Sequence, residues 1–126
     1  MARTSLAYMF QEDLYQFTAS IVVVLGRAWE TYTSDERELL QKILNSVKVD
    51  INAVHIVAEG STNLESLRPF APSRVLIFGT QVKEDIPSYE DTVVRGFRVI
   101  RAHDLHELDD DRKKNLWLAL RQMFGV

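Results

Sequence analysis

The sequence predicts an α/β domain of three layers, α/β/α, on a mainly parallel sheet of about four strands. Two apolar runs end in glycine, Ile21-Val22-Val23-Val24-Leu25-Gly26 and Arg74-Val75-Leu76-Ile77-Phe78-Gly79. Runs without polar alternation are what strands buried on both faces require. Segments of helical periodicity with capping signals separate the strands, the order of a parallel sheet with crossovers on its faces. At 126 residues the chain can bury one core without covalent staples.

The elements follow in order. Residues 1–17 read as an N-terminal amphipathic segment, with Leu6, Met9, Phe10, Leu14 and Phe17 at helical spacing and Gln11, Glu12 and Asp13 opposite. Residues 18–126 read as a single α/β domain, opened by the strand Ile21 to Leu25. Thr33-Ser34-Asp35-Glu36 is a capping box, in which the Thr33 hydroxyl and the Glu36 carboxylate satisfy each other's backbone amides. Leu39, Leu40, Ile43, Leu44 and Val47 give the helix that follows, to about Ser46, its apolar face. Val54 to Val57 is the second strand. Thr62-Asn63-Leu64-Glu65 reads as a second capping box, opening a short helix that Pro69 and Pro72 shut down. Arg74 to Phe78 is the third strand, Gln81 to Glu84 a brief helical turn, and Asp85 to Asp91 a surface loop. Thr92 to Ile100 contains the fourth strand, with Gly96 marking a bend or a close backbone approach. Asp109-Asp110-Asp111 suits the positive end of a last helix, which sets Leu116, Leu120 and Met123 on one face with Trp117 and Phe124 beside them.

Composition narrows the function. A hydrophobic content of 46% with 26% charged residues is that of an ordinary globular domain. The absence of cysteine excludes disulfides, thiolate metal sites and iron–sulfur ligation, and fits a cytoplasmic location. No apolar run is long enough to cross a bilayer, and Met1-Ala2-Arg3-Thr4-Ser5 leads into no signal-peptide core. A net charge of −3 weighs against gripping a phosphate backbone and favours protein partners over direct nucleic-acid binding. His103 and His106, with Asp104 and Glu107 near, offer part of a metal-ligand set but no third ligand at a useful spacing, so no metal is expected. Gly26 and Gly79 begin no phosphate-binding loop.

The segments Leu39 to Val57, Leu67-Arg68-Pro69-Phe70 to Gly79-Thr80-Gln81-Val82, and Arg95-Gly96 to Leu120 resemble the uracil-DNA glycosylase-like superfamily. There a Gly-x-x-Ala ends the third strand, which Gly79-Thr80-Gln81-Val82 approximates. A His-Pro-Ser-x-Leu loop follows the fourth strand, with His103 at the histidine, and Lys114 and Trp117 fall at comparable places in the next helix. Within that superfamily the chain is more similar to the psi subunits of bacterial DNA polymerase III, non-enzymatic members of the clamp-loader assembly. The likeness rests on Ile21 to Leu25, the stripped loop after it, and Leu105-x-x-Leu108 followed by Leu116-Trp117, and it covers roughly Ser20 to Phe124.

The resemblance implies a uracil-DNA-glycosylase-like fold and a non-catalytic interaction subunit with clamp-loader partners and no cofactor. It implies that the segment ahead of the first strand binds a partner, with Tyr8, Met9, Phe10, Leu14, Tyr15 and Phe17 as anchors of the kind interfaces use. Packing of that segment on its own domain, or self-association through it, are the alternatives. Glycosylase chemistry keeps only relic candidates, His103 and, in Gly26-Arg27-Ala28-Trp29-Glu30, the acid Glu30. Trp29 would fill space where backbone should approach substrate, and Asp104-Leu105 replaces Pro-Ser, setting negative charge on the phosphate-facing side of the loop. The base-reading asparagine has no counterpart, since Asn52 lies before the second strand and His55 and Ala58 occupy its end. His103 is expected to bond a neighbouring backbone group or carboxylate. An active or degenerate uracil-DNA glycosylase is the competing expectation.

Overall fold

The computed structural model describes residues 21–125, so the segment 1–17, with Tyr8, Met9, Phe10, Leu14, Tyr15 and Phe17, lies outside the described residues. Seven strands follow in chain order: β1 (Ile21–Leu25), β2 (Val54–Ala58), β3 (Ser61–Thr62), β4 (Arg74–Phe78), β5 (Gln81–Val82), β6 (Thr92–Val94) and β7 (Phe97–Ala102). The α-helices among the described residues are α1 (Ser34–Asn45) and α2 (Asp110–Phe124). The main sheet has the order β2-β1-β4-β7-β6, parallel except for β6, and β3 pairs with β5 in a small parallel sheet of its own. The fold is mixed α/β with a mainly parallel five-stranded sheet.

Hydrophobicity explains the order. All five side chains of β1 are buried, as its unbroken apolar run requires of a strand with neighbours on both sides. Register then sorts the faces: Val23, Leu76 and Ile100 line up on one, and Val22, Val75 and Val99 on the other. The first face packs against Leu40 and Leu44 of α1 and Leu116, Leu120 and Met123 of α2. The second packs against Leu64, Leu67 and Ile86. Each such side chain contributes about 1.5–3 kcal/mol when fully buried. The β1–β2 connection runs through α1 on the first face, while the return from β2 to β4 crosses the second. Connections of opposite direction on opposite faces keep one crossover hand.

Several expectations need correction. Both described α-helices lie on the same face of the sheet, and the third layer is a 3-10 segment, Leu64–Phe70, together with Ile86. The first capping box is present: Thr33 Oγ1 accepts from the Glu36 amide at 3.1 Å, and the Thr33 amide donates to Glu36 Oε1 at 2.9 Å. The second is not. Thr62 is held in β3, its carbonyl taken by the Lys83 amide at 3.0 Å, so Asn63 becomes the cap, accepting from the Ser66 amide. Glu65 turns instead to Arg68, at 2.6 Å. Pro69 lies inside the 3-10 segment, which ends at the left-handed Ala71.

Gln81–Val82 is strand, not a helical turn, because Ser61–Thr62 offers it a parallel partner. The stretch Thr92 to Ile100 is two strands rather than one. Arg95 (φ 52°) and Gly96 (φ 83°) form a two-residue hairpin turn, whose twist needs positive φ at both positions, and this adds β6 as a fifth strand. The segment 85–91 is fastened to β7, with Ile86 buried and the Tyr89 amide donating to the Arg101 carbonyl at 2.8 Å. Asp109 caps α2 through the Arg112 amide at 2.9 Å, and Gly125 closes it in the left-handed region. No helix among the described residues is long and apolar enough to cross a membrane.

Candidate functional site at the carboxyl edge of the sheet

The parallel strands β1, β4 and β7 end at one edge of the sheet. In open α/β sheets, ligands enter the crevice outside the carboxyl ends of adjacent strands whose connections leave to opposite faces. Here that crevice lies between β1, which leads to α1, and β4, which leads toward Ile86 on the other face. Gly26 and Gly79 stand at its mouth.

The crevice is filled. Chain crosses above it, with the Glu59 amide bonded to the Leu25 carbonyl at 2.8 Å, Thr80 Oγ1 to the Glu59 carbonyl at 2.9 Å, and the Gln81 amide to the Gly60 carbonyl at 3.1 Å. Asp104 enters from the side. A Cβ on Gly79 would lie 2.7 Å from the Asp104 Cβ, and Gly79 also has φ +73°, so glycine is required there twice over.

Asp104 gathers four partners. The Tyr32 hydroxyl donates to its Oδ1 at 2.9 Å and the Leu105 amide donates to the same oxygen at 2.7 Å. Arg27 Nε lies 3.8 Å, and His106 Nδ1 3.2 Å, from Oδ2. Arg27 also stacks 3.9 Å over the Tyr32 ring and pairs with Glu36 at 3.3 Å. Burial first, and then the bond to Asp104, pushes the Tyr32 phenol far above its ordinary range. The Thr33 amide, with Arg27 adding to it, holds the Glu36 carboxyl below its usual range. The expectation that Asp104 presents negative charge to a phosphate is therefore corrected: its side chain is only 13% exposed and faces inward onto Tyr32 and Arg27.

His103 stands one residue earlier. Its Nδ1 lies 2.7 Å from the Tyr89 hydroxyl, its ring stacks on the Tyr89 ring with centroids 5.7 Å apart, and its amide donates to the same hydroxyl at 3.3 Å. The expected carboxylate or backbone partner is thus a phenol. Glu30 lies exposed in the 3-10 turn Trp29–Thr31 and has no hydrogen bond or ion pair with another described residue. The structure brings no contact between the two relic candidates. Trp29 packs partly buried against Tyr32, with ring centroids 6.1 Å apart. His106 is committed to Asp104, and no cluster of three or more histidines and carboxylates among the described residues could hold a metal.

Beside His103, between the ends of β4 and β7, is a cavity of about 190 Å³ lined by Thr80, Gln81, Ser88, Arg101, His103 and Glu107, together with backbone neighbours. Sequence reading missed Arg101 and Tyr89. For Arg101 a signal was there: it lies two residues before His103, and period 2 in extended chain sets such residues on one side. For Tyr89, fourteen residues away across a loop, there was none. On the helical face, α1 and α2 enclose a second, apolar groove of about 220 Å³, with Leu39, Ile43, Leu116 and Trp117 in its walls and Lys42 and Lys113 on its sides. Trp117 is 43% and Leu118 47% exposed.

Comparison with protein-family models, with curated proteins and with solved structures gives no match to this chain. Fold and site together define a mixed α/β domain whose switch-point crevice is occupied by its own side chains.

Proposed function

We propose that the chain is a non-catalytic protein-interaction subunit, psi-like, and an accessory of the replicative polymerase's clamp-loader assembly in the cytoplasm. It bridges partners. The N-terminal aromatic segment, Tyr8 to Phe17, engages one, and the surface of the helical layer around Trp117 engages another. No cofactor or metal is needed for this.

The observation that carries this reading is the filled crevice. A glycosylase must hold a flipped base and a carboxylate-activated water in one cleft. Here Asp104 and Tyr32 occupy that ground, Tyr89 takes Nδ1 of His103, and Glu30 faces solvent without a polar partner among the described residues. The likeness of Leu105-x-x-Leu108 and Leu116-Trp117 to psi subunits supports the choice of partner.

Three measurements test it. Purified clamp-loader subunits from the same cell should bind the full chain in a 1:1 titration and lose most affinity when residues 1–17 are removed. Uracil release from single- or double-stranded DNA should stay at background for the chain and for His103→Ala alike. Turnover that His103→Ala abolishes would replace this reading with the glycosylase one. Light scattering that shows a homo-oligomer dissolved by removing residues 1–17, without any hetero-complex, would replace it with self-association.

A further inference from the structure

The cavity between the ends of β4 and β7 has a chemistry that the interaction reading does not use. Arg101 is half-buried, and the one hydrogen bond of its side chain to a described residue is to the Ile86 carbonyl at 3.4 Å, with no carboxylate within ion-pair distance among the described residues. Five other described arginines pair with carboxylates: Arg27 with Glu36 and Asp104, Arg68 with Glu65, Arg95 with Glu84, Arg98 with Asp91 and Arg112 with Asp109, while Arg37 and Arg74 each donate to a backbone carbonyl and line no part of this cavity. A guanidinium carries five N–H donors in a fork that matches two oxygens of a tetrahedral anion. Most of those on Arg101 are unused by described residues.

The neighbours are also donors. Tyr89 occupies Nδ1 of His103, which leaves Nε2 as the ring nitrogen without a described partner. When the Tyr89 hydroxyl donates to Nδ1, the ring proton sits on Nε2. The Ser88 hydroxyl and the Gln81 side-chain carboxamide have no hydrogen bond to described residues either, whereas the Thr80 hydroxyl is taken by the Glu59 carbonyl. One lining group opposes an anion: the Glu107 carboxylate, which is exposed.

Size limits the ligand. At about 190 Å³ the cavity holds about six waters, below the ~300 Å³ at which pockets begin to enclose whole small molecules. A head group fits, with the rest of its molecule outside. We propose that this cavity binds the phosphate group of a phosphoester, gripped by Arg101 and His103 with Ser88 and Gln81 beside them. The fastened segment 85–91, held by Tyr89 and Ser88 on β7, would keep the donors in place before the ligand arrives. The proposal stands apart from the interaction reading and falls or survives without it.

The test is titration of the full chain, followed by backbone-amide NMR, at constant ionic strength made up with chloride. The probes are inorganic phosphate, adenosine 5′-monophosphate, and a short single-stranded oligonucleotide with and without a 5′-phosphate. Phosphate and the nucleotide should shift the amides of Ser88, Arg101 and His103 saturably. Arg101→Gln should weaken both by about tenfold or more, the loss expected for a charge-assisted bond. Glu107→Gln, on the exposed rim, should tighten them several-fold, and it keeps the test alive should Arg101→Gln fail to fold. An oligonucleotide that binds only with its 5′-phosphate, or binds without it and is lost with Arg101→Gln, assigns the phosphate to nucleic acid. Binding of the mononucleotide with none of the oligonucleotide assigns it to a small ester. No saturable shift with phosphate, shifts indifferent to Arg101→Gln, or weaker binding in Glu107→Gln would overturn the proposal.

Discussion

Replacing Asp104 by alanine is the most direct probe of the filled crevice. Three contributions can be worked from the geometry. The Leu105 amide loses a 2.7 Å acceptor at the start of the turn Leu105–Glu107, a capping loss of about 1 kcal/mol. The Tyr32 hydroxyl, on a residue that is 1% exposed, loses the only side-chain partner it has at 2.9 Å, and an orphaned buried hydroxyl costs about 1–3 kcal/mol. Arg27 is 38% exposed and sits 3.8 Å away, so its pairing adds at most about 0.5 kcal/mol after screening. Asp104→Ala should therefore destabilise the domain by about 3 kcal/mol, dominated by Tyr32. Urea unfolding of the wild type, Asp104→Ala, Tyr32→Phe and the double variant, at pH 7 with unchanged slope, gives the coupling directly. Tyr32→Phe should cost about 1–2 kcal/mol alone and nothing further, or even a slight gain, once Asp104 is gone. Equal cost in both backgrounds would refute the account of Asp104 as the partner of a buried hydroxyl. A loss under about 0.5 kcal/mol for Asp104→Ala would refute the filled crevice as a packed feature.

The remaining predictions concern caps, glycines and pH. Thr33→Ala should lower stability by about 1 kcal/mol in the same urea assay, since it removes the 3.1 Å cap of α1. Gly79→Ala meets both a φ of +73° and the Asp104 Cβ at 2.7 Å, whereas Gly96→Ala meets a φ of +83° and open space. The second should cost about 1–2 kcal/mol and the first clearly more, so equal unfolding midpoints would disprove the close approach. The Tyr32 phenol is raised by folding, so its contribution is fully present below the unfolded pKa near 10 and is lost as pH rises beyond it, because the unfolded chain gives up the proton first. Urea midpoints between about pH 9 and 11 should fall more steeply for the wild type than for Tyr32→Phe.

Much of this fold can be read in the chain, and the failures have physical causes. β1 and β4 are legible because runs of five and four consecutive apolar residues have nowhere to go but between two neighbours, and the Thr33 box is legible because both its partners lie within one turn. The Thr62 box fails because β5, from another part of the chain, claims the Thr62 backbone first. The hairpin is hidden because Arg95 takes a positive φ without the Asn-Gly or Asp-Gly signature that such turns favour. The site is less legible than the fold. His103 is visible as a strand-end histidine, but its neighbour Asp104 meets Tyr32 across seventy-two residues, and no local pattern can announce such a bond.

The place of β1 has a consequence for how the protein is made. It is the first described strand to leave the ribosome, yet it lies between β2 and β4, and its second neighbour begins at Arg74, roughly fifty residues later. At about 5–20 residues per second, Ile21 to Leu25 wait several seconds with a bare strand edge. A five-residue apolar run without charge or proline is the kind of segment that pairs with other chains when left open. The parallel order that gives the finished sheet its buried centre thus makes synthesis, rather than the folded state, the moment at which this chain most needs shielding.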